Sequence, residues 1–562
     1  MSAPPIPRVT LERFETEFRQ VHLIHRAADY WAARRPDEAA VVNATRGTRL
    51  TWSQLQRGSR SMAAGLARMG FRKGDYLAAG LPLADEHILL EYACFRLGVI
   101  HAPLDLRLQP AEVLRSVASI GARGYAFPGA FPGKPGATDF GALGETVRQR
   151  CGSVEHLFQL APAAQCIGGA VSLADLAARG EGGAPPGGTE VAETDGAQAI
   201  FTTGSTGSPK PALLSHRGIT CQNLCLGTAF GFAPDQKVLC NLPASHVGGQ
   251  AEILLTSLFM GGTAVTLEVF DPVKSLEAIE RHGVTLLGQI PAMFEMEWRT
   301  ADYARRNLGS LQKAVYGGQA VPRPFLERML GMAPGIATGL GLTEASGFCT
   351  YTAVSPDAGS VEGGVGWAMP AYPLSIREAM NRDGTAGRQL AEGETGHVCF
   401  AGPQTFLGYV NDPEASAAAL STDGWLYTGD MGYAGEKGLH LAGRAKWVLK
   451  PAGYQVFPGD VENHFSALAD RVASVGVVGH EHRMWTEGIV AFVEKQPGAG
   501  LTEAELRRHA RGLASYMRPL HYVILEPGAM PMNRTAKVDV TRLQQLARDE
   551  VGKLRARGRW DG

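Results

Sequence analysis

Residues 201–210 read Phe-Thr-Thr-Gly-Ser-Thr-Gly-Ser-Pro-Lys. These types, so crowded, suit the holding of an anion. Gly204 and Gly207 let the backbone turn tightly and approach a ligand with no Cβ in the way. The exposed N–H groups, the hydroxyls of Thr202, Thr203, Ser205 and Thr206, and the charge of Lys210 then face phosphate oxygens. The stretch is not a Walker A loop. Counted from Gly204, that pattern needs glycine where Pro209 stands. On composition alone, a surface turn is the bland alternative.

Further chemistry-bearing groups follow. Val-Tyr-Gly-Gly-Gln at 315–319 ends an apolar run on Gly317, Gly318 and Gln319, a backbone on which a planar base can lie flat. Leu-Gly-Leu-Thr-Glu at 340–344 sets the Thr343 hydroxyl beside the Glu344 carboxylate. Mg2+ takes oxygen ligands, usually one or two carboxylates together with substrate phosphates, and Glu344 suits it. A helix N-terminus would use the same two residues as cap and first-turn acid. Thr-Gly-Asp at 428–430 offers Asp430, and Gly-Arg-Ala-Lys at 443–446 offers Arg444 and Lys446. Lys-Pro-Ala-Gly spans 450–453, and Pro-Met-Asn-Arg-Thr-Ala-Lys at 531–537 ends on Lys537. A lysine so near the end of a chain is ordinarily a solvated charge.

As an ordered set, these segments resemble the adenylate-forming superfamily: acyl-CoA synthetases, adenylation domains of peptide synthetases and beetle luciferases. The resemblance covers nearly the whole chain. It implies a large N-terminal domain of layered α/β subdomains (1–445) and a smaller, mobile C-terminal α+β domain (446–562), hinged near Lys446. It implies that Thr202 to Gly207 and Lys210 hold phosphates and that Gly317 to Gln319 and Leu340 border the adenine. Thr343 would donate to the α-phosphate, with Glu344 holding Mg2+. Asp430 and Arg444 would take the ribose. Lys537 would act on the forming acyl-adenylate, and Lys450 and Gly453 would lie along the thiol's path. His246, Val247 and Gly248 would line the acyl pocket, His246 as a wall and not a base. Three positions depart from the pattern: Pro211 and Ala536 replace glycines, and Leu340 replaces a tyrosine.

The implied reaction joins a carboxylic acid to the α-phosphate of ATP, expels pyrophosphate, and passes the acyl group to the thiol of coenzyme A. A separate carrier protein is the alternative acceptor. The Phe-Asp motif with which peptide-synthetase domains meet an α-ammonium group is absent from 243–249, which favours an acid without one. Gly248 and Gly249 suggest room for a bulky or aromatic acyl group.

The elements needed to position these groups are legible in outline. The chain has 562 residues, 45% hydrophobic, with a formal net charge of -1. That is long enough for more than one core, and the charge balance gives no reason to invoke nucleic acid. Eight scattered cysteines without a C-x-x-C pair suit a reducing compartment, and no apolar run is long enough to span a bilayer. The expected location is cytoplasmic; homo-oligomerisation is left open. Periodicity predicts a helix over 10–35, one opening at Thr51 or Ser53, one over 252–260, and alternating strands and helices between them.

Overall fold

The computed structural model describes residues 11–129, 138–181, 190–202, 209–533 and 537–561. Two large sheets form the body. In one, the strands Tyr76–Ala79, Ile100–Pro103, Gly124–Pro128, His156–Leu160, Ala170–Ser172 and Gly196–Phe201 run parallel. Pro211–Ser215 turns back antiparallel to Gly196–Phe201, and the short strand Gly408–Tyr409 closes that edge. The other sheet runs Gly335–Thr338, Lys313–Tyr316, Leu286–Gln289, Lys237–Cys240, Thr263–Thr266 and Ala39–Asn43 in parallel, with Thr48–Thr51 antiparallel at its edge. The alternation read from the sequence is therefore α/β layering with mostly parallel strands.

An antiparallel four-stranded sheet follows: Leu374–Arg377, Gly396–Phe400, Leu426–Gly435 and Gly438–Arg444. Beyond it stands a smaller α+β unit. Its strands Val472–His482, Thr486–Lys495 and His521–Leu525 pack with the helices Pro458–Ser466, Glu503–His509 and Val540–Ala556. Its apolar clusters draw only on residues from Leu449 onward, while the clusters of the body end at Leu439.

Two expected helices differ in detail. Residues 10–35 break into Leu11–Glu17, Arg19–Val21 and Ile24–Arg34. The chain folds back so that His22 stacks on Phe14 at 4.0 Å, its ring nitrogens meeting the Phe14 carbonyl (2.8 Å) and Glu193 (2.6 Å). The helix expected over 252–260 starts earlier. Gly248–Leu255 winds with wide π turns and only Thr256–Phe259 is α-helical. The Asn223 Nδ2 amide (2.7 Å) and the Thr256 hydroxyl (3.1 Å) both donate to the Ala251 carbonyl there. Wide turns of this kind often mark functional sites.

The helix Trp52–Arg68 is capped by Thr51 and not Ser53. The Thr51 hydroxyl accepts from the Gln54 N–H (3.2 Å), and the Gln54 side chain accepts from the Thr51 N–H (2.8 Å). This helix crosses Leu173–Gly180 at bare backbone. A Cβ on Gly180 would stand 1.7 Å from the Ser61 carbonyl oxygen, and one on Gly65 would stand 2.3 Å from that of Leu176. Backbone cannot yield as a side chain does. Gly180→Ala is expected to lower stability by about 3 kcal/mol, read as a drop in thermal midpoint against the parent.

Candidate active site

The site gathers where strands end. Gly317 and Gly318 follow the carboxyl end of Lys313–Tyr316, and Leu340 follows that of Gly335–Thr338. In open α/β sheets this is where ligands bind. Gly318 adopts φ +99, a conformation that favours glycine. With Ile290, Pro291, Ala292 and Gln319 it lines a pocket closed on one side by Lys537. The Phe348 ring lies under Gly317, 3.1 Å from where a Cβ would stand. Leu340 packs against the main core, so a ring near the glycines comes from Phe348, a residue the motifs did not single out.

Glu344 is the hub of one wall. Thr343 and Glu344 sit on a single 3-10 turn, Thr343 buried and Glu344 half-buried. The Tyr409 hydroxyl donates to Glu344 Oε1 at 2.5 Å. Lys210 stands over the Tyr409 ring at 5.4 Å and meets Asp412 Oδ2 at 3.6 Å. Burial first, then the Glu344 charge, raise the Tyr409 pKa, so its proton is firmly held. The segment 402–409 looks merely structural in the sequence, yet it brings Tyr409 to the candidate metal carboxylate. No motif spacing marks Tyr409; its position follows from the pairing of Gly408–Tyr409 with Pro211–Ser215. The antiparallel pairing of Gly196–Phe201 with Pro211–Ser215 sets the ends of the glycine-rich stretch, where the Thr202 N–H donates to the Lys210 carbonyl at 2.9 Å. Thr203, Gly204, Ser205, Thr206 and Gly207 lie outside the described residues.

Asp430 and Arg444 face each other across the last antiparallel pair of strands, joined at 2.9 Å. Burial raises the Asp430 pKa, against the pull of Arg444 and then Lys537. Lys537 reaches this place from the small unit. A Cβ on Gly318 would stand 3.8 Å from its Cε. The Lys537 pKa is lowered by the surrounding protein and by Arg444, while Asp430 supports its charge. Lys537 as a whole residue is exposed.

On the other side, His246 presents its ring to the cleft. Its Nδ1 accepts from the Gly248 N–H at 3.0 Å. The enclosing walls, then the Lys537 charge, hold its pKa down at about 4. A neutral wall fits these facts. Val247 turns into the main core, 3% exposed. Gly248 is closely packed: a Cβ there would stand 3.0 Å from His246 Nδ1 and 3.3 Å from Glu252 Oε2. Gly249 does not open the pocket: a Cβ there would stand 2.3 Å from the Pro243 carbonyl oxygen, so this glycine serves a close backbone crossing.

Lys450 and Gly453 are not drawn into this constellation. The Lys450 N–H donates to Glu487 Oε2 (2.5 Å) and the Ala452 N–H to the Trp485 carbonyl (2.6 Å), both within the small unit. Gly453, at φ +83, has open space where a Cβ would be.

A model described as AMP-binding enzyme matches residues 28–410, and one described as AMP-binding enzyme C-terminal domain matches 460–537. The chain belongs to the AMP-binding enzyme family. This AMP-binding enzyme is 28% identical to 4-coumarate–CoA ligase 5 of Oryza sativa subsp. japonica, over 90% of its own chain and 91% of the relative. It is 29% identical to feruloyl-CoA synthase of Amycolatopsis sp, over 87% and 93%. The crystal structure of ATP-bound MatB from Rhodopseudomonas palustris superposes with a TM-score of 0.80 at 24% identity, covering 93% of this chain and 99% of that one. That likeness establishes the adenylate-forming fold of a large α/β domain with a small C-terminal one. The AMP-binding enzyme is thus an acid–thiol ligase of the AMP-forming class. Among the described residues, no helix is long and apolar enough to cross a membrane.

Proposed function

We propose that the chain activates a carboxylic acid as acyl-AMP, with release of pyrophosphate, and then transfers the acyl group to the thiol of coenzyme A. The observation that carries this reading is the placement of Lys537, from the small unit, over Gly317 and Gly318 and beside Asp430 and Arg444. A carboxylate resists nucleophiles because it is already anionic. Its attack on the α-phosphate crowds negative charge at phosphorus, so cations and donors must be in place beforehand. Lys537 supplies a charge, the Thr343 hydroxyl a donor, and Lys210 a further charge toward the phosphates. Asp430 accepts from the ribose hydroxyls and Arg444 fixes its carboxylate. Binding of ATP is supported by the family and by the fit of the site: two bare glycines over a ring, and an Asp–Arg pair at its edge.

The donor set around Glu344 is all oxygen, which fits Mg2+. Glu344 would hold the ion, with the Tyr409 hydroxyl fixing one of its oxygens; when bound, the ion neutralises phosphate charge. Tyr409→Phe is therefore expected to raise the Mg2+ concentration needed for half-maximal pyrophosphate exchange about tenfold, with little change in the limiting rate. An unchanged Mg2+ titration would remove Tyr409 from the site.

The domain division at 445/446, with Lys446 as pivot, belongs to the same reading. Its support is the split of the apolar clusters between Leu439 and Leu449. The decisive test is a pyrophosphate-release screen over a panel of acids, run with CoA and separately with a pantetheinylated carrier protein. Release with CoA thioester as product is the expected result. Thioester on the carrier alone would replace CoA by the carrier, and no release with any acid would end the assignment.

A further inference from the structure

The pocket wall of Ile290, Pro291 and Ala292 grows out of a buried polar chain that has no task in the chemistry above. Gln289 ends the strand Leu286–Gln289 directly before that wall. Its side chain is held at both ends. Asn241 Nδ2 donates to Gln289 Oε1 at 2.8 Å, and Gln289 Nε2 donates to Glu297 Oε2 at 2.8 Å. Asn241 Nδ2 also meets Ser275 Oγ at 3.0 Å. All four residues are buried.

The place of this chain in the sheet gives it meaning. From Lys237–Cys240 the polypeptide goes on to Thr263–Thr266 on one side; from Leu286–Gln289 it goes on to Lys313–Tyr316 on the other. Connections that leave in opposite directions open a crevice at the carboxyl ends, where open α/β sheets bind ligands. The ladder between Lys237–Cys240 and Leu286–Gln289 pairs Leu239 with Leu287 and stops there. Two residues further along both strands, the Asn241–Gln289 bond continues the connection through side chains. Beyond Asn241 the chain runs to the His246 wall. Beyond Gln289 it runs to the nucleotide wall, and the Gln289 carbonyl accepts from the Gly317 N–H at 3.2 Å. Ile290 Cγ2 lies 3.6 Å from where a Cβ on Gly318 would stand.

Among the described residues, Asn241 Oδ1 and Glu297 Oε1 have no hydrogen-bond partner, so the Gln289 amide is the link between the two. Burial pushes the Glu297 pKa up to about 8, against Gln289 and then Ser275. A neutral carboxyl anchors the amide without setting a charge under the wall.

We propose that Gln289 is a positioning residue for both substrates: its side-chain amide bridges the crevice and ties the acyl wall to the nucleotide wall, with Glu297 as its anchor. This rests on the reading of the cleft as an acyl-activating site. Small misplacements of binding groups far from the reacting atoms are costly.

The test is pyrophosphate exchange on the full-length chain, run over benzoate, phenylpropanoate and hexanoate and continued with the fastest. Gln289→Leu is expected to raise KM for ATP and KM for the acid together, each about tenfold. The limiting rate should change little, because Thr343, Glu344 and Lys537 stand on other segments. Glu297→Leu should do the same, and Glu297→Gln, which keeps an acceptor for the amide, should stay near the parent. Each leucine alone leaves a buried partner unsatisfied and lowers the thermal midpoint. The double variant Gln289→Leu/Glu297→Leu removes both partners and should regain most of that stability, while its KM values stay high. A double variant that regains KM along with stability assigns the chain to folding alone and overturns the proposal. So does a rise confined to one substrate, or a Glu297→Gln variant as impaired as Glu297→Leu. Should a single leucine variant fail to fold, the double variant and Glu297→Gln decide in the same way. A parent that binds ATP in calorimetry yet exchanges no acid ends the acyl-activating reading. The ATP affinity of the double variant, about tenfold weaker or unchanged, then still upholds or overturns the role of Gln289.

Discussion

Lys537→Ala is expected to abolish acyl-adenylate formation while leaving thioester formation from supplied acyl-adenylate nearly intact. The expected loss in pyrophosphate exchange is about a thousandfold, the upper range for removing one preorganised stabilising group at developing charge. The reason is geometric. Lys537 stands over Gly318 while Lys450 and Ala452 are bound within the small unit, to Glu487 and Trp485. In the proposed reading, the lysine and the path for a long thiol belong to two different arrangements of the small unit. A second arrangement, reached by turning the small unit about Lys446, would bring the other loop over the cleft. The open space at Gly453 would then admit close backbone contact with the thiol's arm. The two half-reactions must be measured separately, each with its own substrate. Equal loss in both would refute the division of labour.

Asp430→Asn is expected to weaken ATP roughly thirtyfold in KM, since a hydrogen bond to a charged acceptor contributes about 1.5–3 kcal/mol. The variant should also change the pH profile, and the signs can be worked out. Burial raises the Asp430 pKa, so in the parent the acid limb lies above the range of an ordinary carboxylate; activity is lost as pH falls through it. That limb should vanish in the amide. On the alkaline side, Lys537 must keep its proton. Its pKa already lies below an ordinary lysine's because of the enclosing protein and Arg444, and Asp430 opposes that fall. With the opposing charge gone, the alkaline limb should move to lower pH. Rate profiles of pyrophosphate exchange between pH 5 and 10 would register both changes. An alkaline limb that stays in place would mean that Asp430 does not govern Lys537.

Much of this was legible in the residues. The alternation of strands and helices gives the α/β body, and the resemblance carried by the ordered motifs gives the small C-terminal unit. Thr343, Glu344, Asp430, Arg444 and Lys537 converge although they are scattered over the second half of the chain. Local pattern failed where distant contacts decide. Residues 10–35 carry a helical period, but the docking of His22 between Phe14 and Glu193 outweighs it. Tyr409 gave no signal because its role comes from strand pairing across the sheet edge. Glu252 stands in no motif and only opens the helix expected over 252–260. Its burial depends on glycines at 248, 341 and 347, and no periodicity connects those positions. Gly249 misled for the opposite reason, since bare backbone serves close crossings as often as open space.

The Asp430–Arg444 pair ends a hydrogen-bonded ladder, one residue short of Ala445 and Lys446. Rotation beginning beyond that ladder leaves its rungs unbroken. The sugar of the intermediate would stay gripped while the lysine withdraws, so the reactive anhydride need not escape into bulk water during the exchange of partners. Leakage of free acyl-adenylate should then be governed by this pair more than by the speed of the swing.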